Sequence, residues 1–146
     1  MPTEHQFAYG PSNLSMPEAA VIPVLLYADV TSASVWLCQA FGFIERLKVA
    51  THRVQLDIGQ GAVVVAQLYG AGPSLVASTS SVMVRVSNVD LHCDRAKKAG
   101  ATILSKPTSH IYGERQYDAI DIGGHHWTFS QTEADVDPRT WGATLV

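Results

Sequence analysis

Apolar positions along the chain fall into two similar series of blocks. The first begins at Ala20-Val21-Ile22-Pro23-Val24-Leu25-Leu26-Tyr27 and ends at Asp29. A near-continuous apolar run of this length predicts a strand buried on both faces. Thr31 or Ser32 is placed to cap a helix from Ala33 to Phe41, whose apolar positions include Val35, Trp36, Leu37, Ala40 and Phe41. Gly42 is a natural left-handed stop for it. Three β-type runs follow at Phe43 to Ala50, Arg53 to Ile58 and Ala62 to Leu68, with Gly59-Gln60-Gly61 as the turn between the last two.

A stretch rich in Gly, Pro, Ser and Ala, Tyr69 to Ser80, then separates this series from a second one. Ser81 to Val86 predicts a strand. Asn88-Val89-Asp90 caps a helix to Ala99, stopped at Gly100, and Ala101 to Leu104 starts a strand that Pro107 is expected to break. Arg115 to Ile120 and His126 to Gln131 predict two more strands, joined at Asp121-Ile122-Gly123-Gly124. The two series overlay: Tyr27-Ala28-Asp29-Val30 on Val86-Ser87-Asn88-Val89, Gly42 on Gly100, and Leu56-Asp57-Ile58-Gly59 on Ile120-Asp121-Ile122-Gly123. Each unit of about sixty residues is small for a core of its own. The pattern therefore predicts an α+β fold of two tandem βαβββ modules, forming one cupped mixed sheet with helices outside and a cavity on its other face. A single ferredoxin-like α+β domain without a cavity fits the strand pattern less well. The expected organisation is a loose arm 1–20, a domain 21–131 (module one 21–69, linker 70–80, module two 81–131) and a tail 132–146, which Trp141 is expected to dock.

Composition narrows the function without naming it. The chain has 146 residues, 47% hydrophobic and 16% charged, with a net charge of −3 and 10 scattered Lys and Arg. No basic face for nucleic acid or a membrane surface is expected. Cys38 and Cys93 lack a C-x-x-C spacing, and they read as small buried hydrophobes, with one disulfide between them as the alternative. Met1 to Gly10 has no apolar core of a signal peptide, and no apolar run approaches a membrane span of about 20 residues. The expectation is a soluble cytoplasmic domain.

The segment Tyr112-Gly113-Glu114-Arg115-Gln116-Tyr117-Asp118-Ala119-Ile120-Asp121-Ile122-Gly123-Gly124-His125-His126-Trp127-Thr128-Phe129 resembles the last hairpin of the vicinal oxygen chelate superfamily. That superfamily includes glyoxalase I, bleomycin-resistance proteins and extradiol dioxygenases. Its signature reads roughly Y-G-x-R-x-Y-x-x-x-D-P-x-G-H-x-W-x-F; here Ile122 stands at the proline. Leu26 to Asp29 with Trp36-Leu37 and Ala40 to Phe43 resembles the first β-α unit, and Val86 to Asp90 with Ala99-Gly100-Ala101 the second. The resemblance covers about Val21 to Gln131 and implies the duplicated fold, commonly as a homodimer.

In metal-dependent relatives a divalent ion is held by His, Glu or Gln from the first and last strands of each module. The resemblance puts those positions at Ile22, Ser81, Thr128 and either Val64 or Val65. Ile and Val have no donor atoms, so no metal and no other cofactor is expected. A slipped site of Gln67, His126 and Asp118 would need a different geometry. His5, His52, His92 and His110 read as solvated.

Alternation supplies candidate cavity residues. If Thr128 faces the cup, so do His126 and Ser130, while His125, Trp127 and Phe129 face the helices. His126 is either an acid/base group or an incidental polar side chain. Arg115, which alternates with Tyr117, either grips a carboxylate or phosphate or braces the hairpin through Asp57, Asp118 or Asp121. Gln67 and Tyr112 are placed near the mouth. The candidate ligand-binding set is Gln67, Tyr112, Arg115, Tyr117, His126 and Thr128, with His126 the one catalytic candidate. The first expectation is sequestration of an amphipathic or aromatic small molecule, in the manner of bleomycin-resistance proteins. The alternative is a metal-independent lyase or isomerase using His126, and a metal-dependent glyoxalase or dioxygenase ranks last.

Overall fold

The computed structural model describes residues 10–70 and 79–146. The chain runs β1 (Val24–Tyr27), α1 (Val30–Phe41), β2 (Ile44–Val49), β3 (Arg53–Ile58), β4 (Gly61–Gln67), then β5 (Val82–Arg85), α2 (Val89–Lys98), β6 (Thr102–Ser109), β7 (Glu114–Ile120) and β8 (His126–Thr132). A 3-10 turn, Pro138–Trp141, closes it. In each half a strand crosses over through its helix, and a three-stranded meander returns to lie parallel to that first strand. The sheet orders are β1-β4-β3-β2 and β5-β8-β7-β6, with β1 parallel to β4 and β5 parallel to β8.

This is the expected α+β fold of two βαβββ units, with one difference. The strands form two four-stranded sheets rather than one continuous cup, and β1 and β5 are each an edge. The two helices pack against each other and against their own sheets. They share one core with the inward faces, built from Leu37, Phe41, Leu56, Val63, Val65, Trp127 and Phe129 among others. Phe41, at the end of α1, reaches into the second half. Its ring lies 4.7 Å from that of Phe129 and 5.6 Å from that of Trp127.

Local chemistry explains most boundaries. Asp29, not Thr31 or Ser32, caps α1: its carboxylate accepts from the Ser32 amide at 3.0 Å, so the helix begins at Val30. Asn88 caps α2 in the same way through the Leu91 amide. Gly42 ends α1 with φ 80°, which an L side chain adopts only with strain. β6 does not break at Pro107. It lies at a sheet edge, and its register shifts between Ser105 and Thr108 across the proline, so no ladder donor is required there.

The halves are fastened by Asp121, which is buried in the β7–β8 turn. Its carboxylate accepts from the Tyr27 hydroxyl at the end of β1, from the Trp127 indole at 2.9 Å, and from the Gly123 and His125 amides at 2.8 and 3.0 Å. Burial and the neighbouring carboxylate push the Tyr27 hydroxyl far above its ordinary range. Gly123 is required here because an added Cβ would lie 2.5 Å from the Tyr27 ring.

Two further expectations meet the structure differently. His92 is not a solvated helix residue. It is wedged between Phe41, Phe129 and Tyr117. Its Nε2–H donates to the Phe41 carbonyl at 2.9 Å, and its Nδ1 accepts from the Tyr117 hydroxyl at 2.6 Å. A carbonyl only accepts, so these partners select the neutral Nε2–H tautomer. Burial holds the imidazole below its ordinary pKa. The unfolded chain therefore takes up a proton near pH 6.5 that the folded one refuses, and stability falls as pH drops below that value. Unfolding free energies from urea melts should decline as pH falls below about 6.5, with a slope no steeper than the one-proton limit of about 1.4 kcal/mol per pH unit. The variant His92→Asn should flatten this slope.

The arm is not loose over its described part. Leu14 and Ser15 give their carbonyls to Arg46 Nη2 at 2.7 Å and Gln55 Nε2 at 2.8 Å. Pro17 is buried. The segment thus lies over the outer face of the first sheet, where Gln55 is buried. Residues 1–9 and most of the linker 70–80 lie outside the described residues. In the tail, Trp141 docks, its ring 5.5 Å from that of Tyr112. Cys38 and Cys93 are both free thiols. Among the described residues no helix is long and apolar enough to cross a membrane.

Candidate functional site

The β7–β8 register decides which side chains look outward. Tyr117 sits opposite Phe129, Asp118 opposite Thr128 and Gln116 opposite Ser130. Opposed residues share a face, so Phe129 in the core takes Tyr117 with it. The outer face of the second sheet then carries Glu114, Gln116 and Asp118 from β7, His126, Thr128 and Ser130 from β8, and Met83 and Arg85 from β5.

An open groove of about 850 Å³ runs along the β5 edge. One wall comes from the first half: Val21 and Pro23 ahead of β1, and Ile58 to Val63 around the β3–β4 turn. The other comes from Val82 to Arg85, Glu114 and Ser130. Apolar side chains dominate the walls, and the charged groups, Arg85 and Glu114, sit together at the second-sheet side.

The polar end is a relay of hydrogen bonds. The Tyr112 hydroxyl donates to Gln116 Oε1 at 3.0 Å, Gln116 Nε2 to Ser130 Oγ at 3.0 Å, and the Ser130 hydroxyl to Glu114 Oε1 at 2.7 Å. The Ser130 hydroxyl holds the Glu114 carboxyl below the usual range, and the Thr132 hydroxyl and the Arg85 charge add to this. Glu114 is therefore an anion already supplied with donors. Arg85 is exposed and makes no hydrogen bond or ion pair with the described residues.

The residues singled out in the sequence do not gather around this groove. Arg115 points to the helix side and grips Asp90 with two nitrogens, each at 3.0 Å, which lowers the Asp90 carboxyl. It braces α2, rather than any of the three aspartates expected. Tyr117 is fully buried beneath α2, tied to His92, and burial raises its hydroxyl pKa. The expected exposure of these two side chains at the cup therefore fails, because the register turns them inward. Gln67 braces the loop after β1 by donating to the Ala28 carbonyl at 2.8 Å. Thr128 faces outward as expected, but its hydroxyl donates to Asp118 outside the groove. His126 lies four residues before Ser130, about 13 Å along the strand, and does not line the groove. Tyr112 reaches the groove only through Gln116 and Ser130.

Sequence reasoning missed Arg85, Glu114 and Met83. A usable signal was present: if Ser81, Met83 and Arg85 alternate with core-facing Val82 and Val84, they share the outer face with Ser130.

The donor set does not suit a divalent ion. Val65 belongs to the core, and Val64 and Thr128 lie on separate sheets opposite Val24 and Met83. The Thr128 hydroxyl is committed to Asp118. Among the described residues no three His, Cys, Asp or Glu side chains converge as a metal site. The slipped set of Gln67, His126 and Asp118 is not assembled, because Gln67 is in the first sheet and the other two are in the second.

Comparison with known proteins places these features in context. The family model described as Glyoxalase/Bleomycin resistance protein/Dioxygenase superfamily matches residues 21–129. An uncharacterised protein of Mycobacterium bovis is 28% identical over 133 residues, covering 82% of this chain and 88% of that one. The crystal structure of TioX from Micromonospora sp. ML1 is 32% identical, with a TM-score of 0.65, covering 78% of this chain and 98% of that one. The bleomycin-binding protein of bleomycin-producing Streptomyces verticillus, solved with copper(II)-bleomycin, shares the fold at 17% identity and a TM-score of 0.59, over 79% of this chain and 97% of that one.

Proposed function

The chain belongs to the glyoxalase/bleomycin resistance protein/dioxygenase superfamily, and from that premise we propose that it binds and sequesters an amphipathic or aromatic small molecule in the groove along β5. The observation that carries this reading is the groove itself. At about 850 Å³ it has the size of a ligand site, with apolar walls and a small polar end. The donor-poor family metal positions favour binding over metal-centred turnover. A protein of the same fold is a bleomycin-binding protein in complex with copper(II)-bleomycin, so the fold accommodates ligand binding. The acid/base reading of His126 has less support, since that imidazole lies outside the groove.

The protein acts as a homodimer in this proposal. β1 and β5 each leave one edge without a partner strand, and Val24, Leu26 and Met83 stand exposed on them. An unpaired edge of this kind is a ready template for pairing with another chain. The free thiols Cys38 and Cys93 suit a cytoplasmic setting. Light scattering coupled to size exclusion should give twice the chain mass.

The test of function is a thermal-shift screen of amphipathic aromatic compounds on protein treated with a chelator. At a ligand concentration one hundred times the Kd, a true ligand stabilises by about 2.7 kcal/mol. It should be recovered unchanged by mass spectrometry. Turnover that returns only with an added divalent ion would contradict the proposal.

A further inference from the structure

Among the described residues the groove is lined by one cation, Arg85, whose side chain makes no hydrogen bond or ion pair with them, and this deepens the reading just given, on which it rests. We propose that Arg85 is the specificity-determining residue of the groove, and that the ligand is an amphipathic organic anion. Its carboxylate, or an equivalent oxyanion, meets the Arg85 guanidinium while its apolar body lies against Val21, Pro23 and Met83.

Three observations converge on Arg85. It is the last residue of β5, opposite Ser130, so its side chain leaves the sheet on the groove face. It makes no hydrogen bond or ion pair with the described residues, whereas Arg115 is held by Asp90 and Arg46 by Gln55 and Leu14. The neighbouring anion does not use it as a partner either, because Glu114 takes the Ser130 and Thr132 hydroxyls. A guanidinium presents five donors in a planar fork matched to a carboxylate. Placed at the polar end of an apolar trough, it favours a ligand with an anionic head and an apolar body. Glu114 sharpens the choice further: it repels an anion that strays from Arg85 and so fixes the orientation of the bound molecule.

Two fluorescent probes of nearly the same shape separate the contributions. 1-Anilinonaphthalene-8-sulfonate carries an anion, and N-phenyl-1-naphthylamine lacks it. Wild-type protein should bind the anion at least about ten times more tightly, the scale of a charge-assisted pair, and this preference should shrink with added salt. Arg85→Gln should abolish the preference while leaving the neutral probe's affinity and the melting temperature unchanged. Arg85→Lys should keep part of it, as a point charge without the fork. Met83→Asn should weaken both probes alike.

Equal binding of the two probes by wild type would overturn the role of Arg85 while leaving the groove as a binding site. So would a preference that survives Arg85→Gln, or tighter binding of a quaternary-ammonium analogue. Binding of neither probe would overturn this inference and the proposed function together.

Discussion

Asp121→Ala is expected to lower the unfolding free energy by about 3–4 kcal/mol, among the largest effects of a single substitution. In a chain of this size that is a fall of about 10 °C in Tm. The carboxylate accepts four hydrogen bonds from two backbone amides, the Trp127 indole and the Tyr27 hydroxyl. Trp127 and Tyr27 are themselves buried, at 1% and 3% exposure. Their donors cannot turn to solvent when the acceptor is removed, so each loses its partner without recovering water. The loss also unfastens β1 from the β7–β8 turn, so the coupling between the two halves should weaken with it. Asp121→Asn keeps the shape but turns an amide donor toward at least one existing donor, and should recover less than half of the loss. A shift of under about 3 °C in Asp121→Ala would show that Asp121 does not join the halves.

Phe41→Ala should cost about 3–5 kcal/mol. Phe41 ends α1, yet its ring touches those of Trp127 and Phe129 in the second sheet and of His92 on α2. Truncation leaves a cavity walled by large rigid rings that cannot collapse into it. Phe41→Leu, which refills most of the volume, should cost well under half as much. Chemical denaturation read by tryptophan fluorescence checks both, since Trp36 and Trp127 flank the site. A cost near 1 kcal/mol for Phe41→Ala would show that the halves are held elsewhere.

Element order and type were legible because two local periods, followed by a repeat, all pointed the same way. The inward placement of Trp127 and Phe129 was legible for the same reason. The side of β7 was not, because parity on one strand says nothing about its neighbour until the register is known. Once Tyr117 stands opposite Phe129, Arg115 and Tyr117 turn inward together. His92 was misplaced although its signal was present. Val89, His92, Cys93 and Ala96 fall at i, i+3, i+4 and i+7, one helical stripe, and a titratable residue on that stripe is drawn partly into the core when it finds partners, here Phe41 and Tyr117. A cavity on the face away from the helices was expected, but the groove's place along β5 and its lining were not legible. The groove exists because the two sheets separate at β1 and β5, and no local pattern encodes the separation of sheets. Arg85 and Glu114 acquire their meaning only there.

The most direct test of the account is an amide chemical-shift titration of labelled, chelator-treated protein with 1-anilinonaphthalene-8-sulfonate. The account predicts saturable shifts concentrated at Gln60 to Ala62, Val82 to Arg85, Glu114 and Ser130, with no divalent ion added. Shifts centred instead on His126 and Thr128, or binding that appears only after a divalent ion is supplied, would contradict it.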